Sequence, residues 1–320
     1  MKLFAPSYYK KFKCIADKCT HSCCVGWEID VDDDALAVYE SLSEGYGKEI
    51  KNSIDFSGTP HFKLELNDRC PHLDETGLCK IIKNYGEGFL CHICSEHPRF
   101  YNNTSKGMEV GLGMSCEEAA RIILTADSFG EVVEIEKDSR DENIAPLNLI
   151  ESDTEINEEQ INGFNPLEHR QMIFDLLSDD SLGYIEKLEY VSKKYKISPL
   201  IYTDGEWRKV ISSLEYLEEN HKKMFLNYSS SVLHTPKYEK YLLRFLAYFV
   251  FRHCTEAWDE KEFSSNLGFC LFCERLFFSI LDFTRCNTLI EAIEIARIIS
   301  EELEYSEENT EAVKQRFYNL

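Results

Sequence analysis

Beyond residue 166, apolar residues recur at three- and four-residue spacing almost to the end of the chain. This spacing predicts helices over 167–179, 182–195, 206–226, 237–257, 267–284, 288–303 and 308–318. Val210, Leu214, Leu217 and His221 mark one such face. Pro166, Pro199 and Pro236 stand between these segments or just before their starts, where proline is tolerated. The first part has a different period. Trp27, Ile29 and Val31 alternate with polar residues, as do Phe62, Leu64 and Leu66, and both runs predict short half-buried strands. Val132, Val133 and Ile135 predict another. Asp32 is expected to cap a helix running to about residue 43, with Asp33 and Asp34 in its first turn and Gly45 beyond its end. Residues 74–77 form a turn sequence, and Ser115 with Glu118 suggests a capping box for a helix over 116–127. The expected fold class is α+β, mostly α. A small loop-rich cysteine-cluster domain over 1–145 is followed by an acidic connector over 146–165 and an all-helical domain over 166–320.

Charge adds an exclusion. The 320 residues carry 57 acidic and 35 basic side chains, a net charge of −22. Residues 131–160 hold eleven acids against two bases, which is why the connector is placed there. Such a balance argues against nucleic acid and anionic lipid as partners, because phosphates require clustered Lys and Arg. The N-terminus lacks an apolar run of signal-peptide length, and the most apolar stretch, 242–251, is interrupted by Arg244 and too short to span a bilayer. The expected location is the cytoplasm, where thiols stay reduced, with no membrane association.

Thiols are the main chemical signal. Nine of the 13 cysteines fall in the first 116 residues. They form Cys14-x4-Cys19-x3-Cys23-Cys24, then Cys70-x8-Cys79-x11-Cys91-x2-Cys94, then Cys116. Thiolates ligate soft and borderline metals, and short loops let one chain wrap an ion or a cluster. Four thiolates suit tetrahedral zinc or an iron–sulfur cluster, and a subset of the nine is the candidate ligand set. His21, His72, His92 and His97 lie nearby and could replace a thiolate. The cysteine triplet of radical S-adenosylmethionine enzymes is absent, since Gly26 stands where its third cysteine would fall. Cys270 and Cys273 sit three residues apart in an apolar helical run and read as core thiols, as do Cys254 and Cys286.

The run from Cys14 through Cys19-Thr20-His21-Ser22-Cys23-Cys24-Val25-Gly26-Trp27 resembles the N-terminal signature of bacterial flagellin lysine N-methylases. So do Cys70-Pro71-His72-Leu73, Gly77-Leu78-Cys79, and Cys91 to Cys94 followed by His97-Pro98-Arg99-Phe100. Ser115-Cys116-Glu117-Glu118 is similar too, with Glu117 where that family usually has proline. The Cys-Pro-x-Leu…Gly-x-Cys part alone resembles a broader cysteine-cluster family described as binding zinc or iron. The resemblance implies S-adenosylmethionine-dependent methyl transfer to lysines of flagellin, with flagellin as partner and an iron–sulfur cluster, of the 4Fe–4S type, on these cysteines. The alternative is a non-enzymatic zinc- or iron-binding interaction module.

Catalytic residues are not visible as a motif. Tyr101 and Glu117 are weak candidates for a base, and Arg99 could pair with a carboxylate or cap carbonyls. For the cofactor, Trp27 could stack on an adenine, and Gly111 and Gly113 precede a helix start, where anions bind, without the third glycine of a dinucleotide fingerprint.

Overall fold

The computed structural model describes residues 2–136, 163–231 and 235–318. Residues 137–162, which contain most of the expected acidic connector, lie outside the described residues. The strands in chain order are β1 (Leu3–Pro6), β2 (Ile54–Asp55), β3 (His61–Phe62), β4 (Arg99–Thr104), β5 (Gly107–Leu112) and β6 (Val132–Ile135). The helices of the first part are α1 (Asp33–Ser41), α2 (Tyr46–Asn52), α3 (Lys80–Tyr85), α4 (His92–Glu96) and α5 (Glu117–Leu124). Then come α6 (Pro166–Ser178), α7 (Tyr184–Tyr195), α8 (Asp204–Ser213), α9 (Glu219–Phe225), α10 (Glu239–His253), α11 (Glu260–Phe283), α12 (Leu289–Ile299) and α13 (Glu307–Tyr318). The class is α+β and mostly α.

Two compact units divide these elements. One comprises residues 13–100 with 116–118, and the other residues 1–12, 101–115 and 119–320. The expected 1–145 domain is therefore drawn differently, because its first strand and residues 101–115 group with the helices. The reason is a four-stranded sheet in the order β4-β5-β1-β6. Leu3 lies opposite Met108 in the parallel β1–β5 pair and opposite Ile135 in the antiparallel β1–β6 pair. A parallel pair needs a long crossover, and here the chain between β1 and β4 is the cysteine-rich unit.

In the helical unit, α11 is buried on every side, with seventeen of its 24 residues buried. Cys270 and Cys273 are fully buried in it, beside a fully buried Cys254, so the core-thiol expectation describes them. Among the described residues no helix is long and apolar enough to cross a membrane. Where α11 meets α13, a Cβ on Gly268 would stand 2.3 Å from Phe317 Cγ. Gly268→Ala is expected to lower unfolding stability by about 1–3 kcal/mol through overpacking, read as a lower denaturant midpoint at unchanged slope.

One expected helix is two. The 206–226 pattern breaks after α8, because side chains from elsewhere take the backbone groups of the next residues. Asn309 Oδ1 accepts from the Glu215 N–H (2.9 Å) and Glu302 Oε2 from the Leu217 N–H (2.9 Å). Glu302 belongs to a π-helical turn, Ser300–Glu304, that continues α12. Glu302 also meets His221 Nδ1 at 2.5 Å. Burial alone would lower the His221 pKa, but the Glu302 and Glu218 carboxylates raise it above the ordinary histidine value. The contribution is fully present below the unfolded pKa near 6.5 and is lost as pH rises through the folded pKa. The stability gap between the native chain and His221→Gln should therefore be widest below about pH 6.5 and shrink above it, as melting temperatures across a pH series will show.

Candidate metal centre

The nine N-terminal cysteines all lie in the 13–100 and 116–118 unit. Local structure explains how distant segments deliver them. Cys70 N–H donates to Cys24 O at 2.8 Å, Gly26 N–H to Asp68 O at 3.0 Å, and Val25 bridges Arg69. This short antiparallel pairing sets Cys24 beside Cys70. Gly26 has φ +97°, a conformation that glycine adopts without strain. From Cys70 the chain turns, and Leu73 bridges Cys79 around the 74–77 turn. Asp74 Oδ1 holds that turn by accepting from Thr76 N–H (2.8 Å) and Leu78 N–H (3.0 Å).

Cys91 caps α4 and Cys94 stands one turn later, with the Cys91 thiol donating to Cys94 Sγ at 3.4 Å. Asp32 ties α4 to α1. Its Oδ1 accepts from Ala35 N–H (3.0 Å), the expected cap, and its Oδ2 from His92 N–H (2.6 Å). Cys70 and Cys91 belong to the unit's hydrophobic core, and Cys24, Cys79 and Cys94 pack against that core.

Cys14 and Cys23 are exposed, and Cys19 and Cys116 are half-buried. Glu117 Oε2 holds the 19–21 loop by accepting from Thr20 N–H (2.8 Å), Thr20 Oγ1 (2.6 Å), His21 N–H (3.3 Å) and the Cys19 thiol (3.6 Å). Cys116, the residue before it, is thereby brought to the Cys19 loop. Burial pushes the Glu117 carboxyl up, but the Thr20 hydroxyl and the backbone donors outweigh it, so the group lies below the usual carboxylate range. A carboxylate held ionised by four donors is a poor proton acceptor near neutrality.

Burial and crowding act on the thiols. Cys70 is pushed up to about 12 by burial and by Cys24, Cys79 and Cys91. Cys19 is pushed up to about 12 by burial, with Glu117 and Cys116 adding to it. In the Cys23–Cys24 pair the shared hydrogen bond raises Cys23 and lowers Cys24, and the Arg69 guanidinium also favours the Cys24 thiolate. A coordinated metal ion reverses this logic and deprotonates its thiols outright.

The donor set fits a thiophilic metal in kind and number. Sulfurs on a tetrahedral zinc with bonds of about 2.3 Å stand roughly 3.8 Å apart, close to the 3.4 Å Cys91–Cys94 separation. His92 Nε2, between those two cysteines in sequence, is buried with no hydrogen-bond partner. Among the described residues, however, no three Cys, His, Asp or Glu side chains are drawn together at the spacing of a metal ion. The thiols are assembled in one unit without being closed around a point.

His72 does not belong with the candidate ligands. It is 2% exposed, its Nδ1 meets Tyr46 Oη at 2.6 Å and its Nε2 meets Ser53 Oγ at 2.9 Å. Trp27 Nε1 donates to Cys23 O at 2.6 Å, and the indole lies 6.0 Å from the His97 ring. Arg99 Nη1 donates to the Ser95 and Glu96 carbonyls at 3.4 and 3.5 Å. Tyr101 packs half-buried on the sheet core. Gly111 lies inside β5, Gly113 is buried, and the Met114 N–H is taken by Tyr248 Oη at 3.1 Å. Gly111 is thus part of the strand, and Gly113 lies just beyond its end. The expected Ser115 cap does not form, since Ser115 Oγ is buried with no hydrogen-bond partner. Arg69 had no signal in the sequence, whereas Asp32 was expected as a helix cap and His92 as a possible substitute for a thiolate.

The fold and site describe a mainly helical protein with a cysteine-rich unit inserted between two strands of its sheet. Three curated proteins share part of this sequence. The Lysine-N-methylase of Salmonella typhimurium is 27% identical over 127 residues, covering 37% of this chain and 31% of that protein. The Lysine-N-methylase of Salmonella choleraesuis gives the same identity and the same coverage. The Flagellar biosynthetic protein FliU of Salmonella muenchen is 28% identical over 127 residues, covering 37% of this chain and 75% of that protein. The matched region thus spans under a third of each methylase. No family model matches the chain, and no solved structure matches it.

Proposed function

We propose that this chain is a protein-lysine N-methyltransferase. In this reading it transfers methyl groups from S-adenosylmethionine to surface lysines of flagellin in the cytoplasm. The same reading gives its cysteines an iron–sulfur cluster, with zinc as the alternative. The similarity to proteins named Lysine-N-methylase and FliU carries it, and the gathering of nine thiols in one unit supports the metal.

S-adenosylmethionine supplies a methyl group on a sulfonium, which a neutral amine attacks. Lysine's ordinary pKa is near 10.4, so the acceptor must be desolvated or placed beside a base. Glu117 instead anchors the 19–21 loop as an ionised carboxylate. The metal would be held by a subset of the nine thiolates and would join segments far apart in sequence. The burial of Cys70 and Cys91 in the hydrophobic core favours a structural role for it, and the same burial supports the second reading, a metal-stabilised interaction module. Calorimetry with S-adenosylmethionine separates the two. The first reading expects saturable binding and transfer of labelled methyl to purified flagellin. Absence of both from metal-loaded protein would leave the module.

A further inference from the structure

We propose that Cys91 and Cys94 form a reversible dithiol–disulfide couple, giving the cysteine-rich unit a reduced and an oxidised state. The couple goes beyond the methyl-transfer reading and stands without it. Cys91-His92-Ile93-Cys94 spaces two thiols three residues apart, and the fold closes that spacing. Cys94 N–H donates to Cys91 O at 3.0 Å, and the two sulfurs lie 3.4 Å apart. Asp32 fixes this turn against α1 by accepting from the His92 N–H at 2.6 Å.

A disulfide joins residues whose Cα atoms stand roughly 4.4–6.8 Å apart. Helical rise and radius put Cα atoms three residues apart about 5 Å from each other, inside that range, so the two sulfurs can close without moving the backbone. Cys23 and Cys24 are hydrogen-bonded too, but adjacent Cα atoms across a trans peptide are about 3.8 Å apart, below the range. Cys91 is 1% exposed and Cys94 half-buried, so a small-molecule disulfide meets Cys94 first. The Cys94 thiolate attacks one sulfur of that disulfide, forming a mixed disulfide and expelling a thiolate. Cys91, deprotonated in turn, attacks Cys94 Sγ and expels the second thiolate. Two protein S–H bonds are lost and one S–S bond forms, while the small disulfide takes up two electrons and both protons as two thiols. The Cys91 hydrogen bond and burial favour the protonated Cys94 thiol, so the exchange is slow and its test is read at equilibrium. The oxidised state also has two fewer thiolates to offer a metal, since the thiolate is the ligand form.

The test equilibrates the full chain, without oxygen and with a chelator present, in glutathione buffers of graded thiol-to-disulfide ratio. The samples are then quenched in acid, alkylated and digested with trypsin. Cleavage after Lys83 and Arg99 releases residues 84–99 with both cysteines on one peptide. The oxidised pair is read as a peptide that takes no alkyl group and is lighter by two hydrogens than the dithiol. Because the fold holds the sulfurs together, half-oxidation is expected at a ratio at least about tenfold more reducing than for the same chain in urea. An equal or more oxidising ratio in the folded chain overturns the couple. Two variants test the order of attack. Cys91→Ser should trap glutathione on Cys94, and Cys94→Ser should leave Cys91 reduced; the reverse pattern overturns that order. Should either variant not fold, the native comparison still decides, and methyl transfer is scored independently.

Discussion

Replacing Cys91 or Cys94 by serine is expected to remove bound metal and lower the melting temperature of the cysteine-rich unit together. The two sulfurs stand 3.4 Å apart across the first turn of α4, and Cys91 is 1% exposed. Serine oxygen is a hard, weakly binding substitute for thiolate. Metal binding and folding are one equilibrium when the unfolded chain has no preformed site. Structural zinc in small domains contributes an apparent 10–16 kcal/mol, roughly the whole stability of an ordinary domain. A control separates this from simple core damage. Cys273→Ala in α11 removes an equally buried thiol from the other unit, and should cost stability while leaving metal content unchanged. Unchanged metal stoichiometry in both Cys91→Ser and Cys94→Ser would refute their role as ligands.

The second large effect belongs to the helical unit. Arg170→Met is expected to destabilise it by about 3–5 kcal/mol, because it strands a buried carboxylate. Arg170 makes a two-pronged pair with Glu109, Nη1 to Oε2 at 2.7 Å and Nη2 to Oε1 at 2.6 Å, and Nη1 also reaches Thr255 Oγ1 at 2.8 Å. The two side chains are 6% and 5% exposed, so solvent screens the pair weakly. Replacing both partners, Glu109→Leu with Arg170→Met, should recover most of the loss, since no charge is then left buried. Urea midpoints of the single and double variants test this. A single variant within about 0.5 kcal/mol of the native chain, the range of ordinary surface changes, would show that the pair carries no weight.

How much of this could be read in advance depended on the range of the interactions. The Asp32 cap was legible because its bond runs three residues along the chain, from Asp32 to Ala35. The helices beyond residue 166 were legible as a class from their apolar period. The break after α8 was not, since Asn309 and Glu302 impose it from far along the chain. The sheet was missed because β1 has four residues and ends at Pro6, too short for a periodic signal. Gly111 sits in the six-residue β5, which carries glycine at both Gly107 and Gly111 and so reads as turn rather than strand. The Phe62, Leu64 and Leu66 alternation misled in the other direction. Its strand stops at Phe62, and Leu66 is 85% exposed ahead of the left-handed pair Asn67 and Asp68. In the candidate site, the residue types were plain and their grouping was not. Cys24 meets Cys70 through a backbone pairing between segments some forty-six residues apart, and Cys116 reaches Cys19 through its neighbour Glu117, where the resembled family usually has proline.

The central claim is methyl transfer to flagellin lysines. Its most direct measurement is mass spectrometry of flagellin from cells with and without this protein. The account predicts lysines heavier by one or more methyl groups when the protein is present and unmodified lysines when it is absent. Identical flagellin masses from the two, in cells where the protein is made and holds its metal, would contradict it.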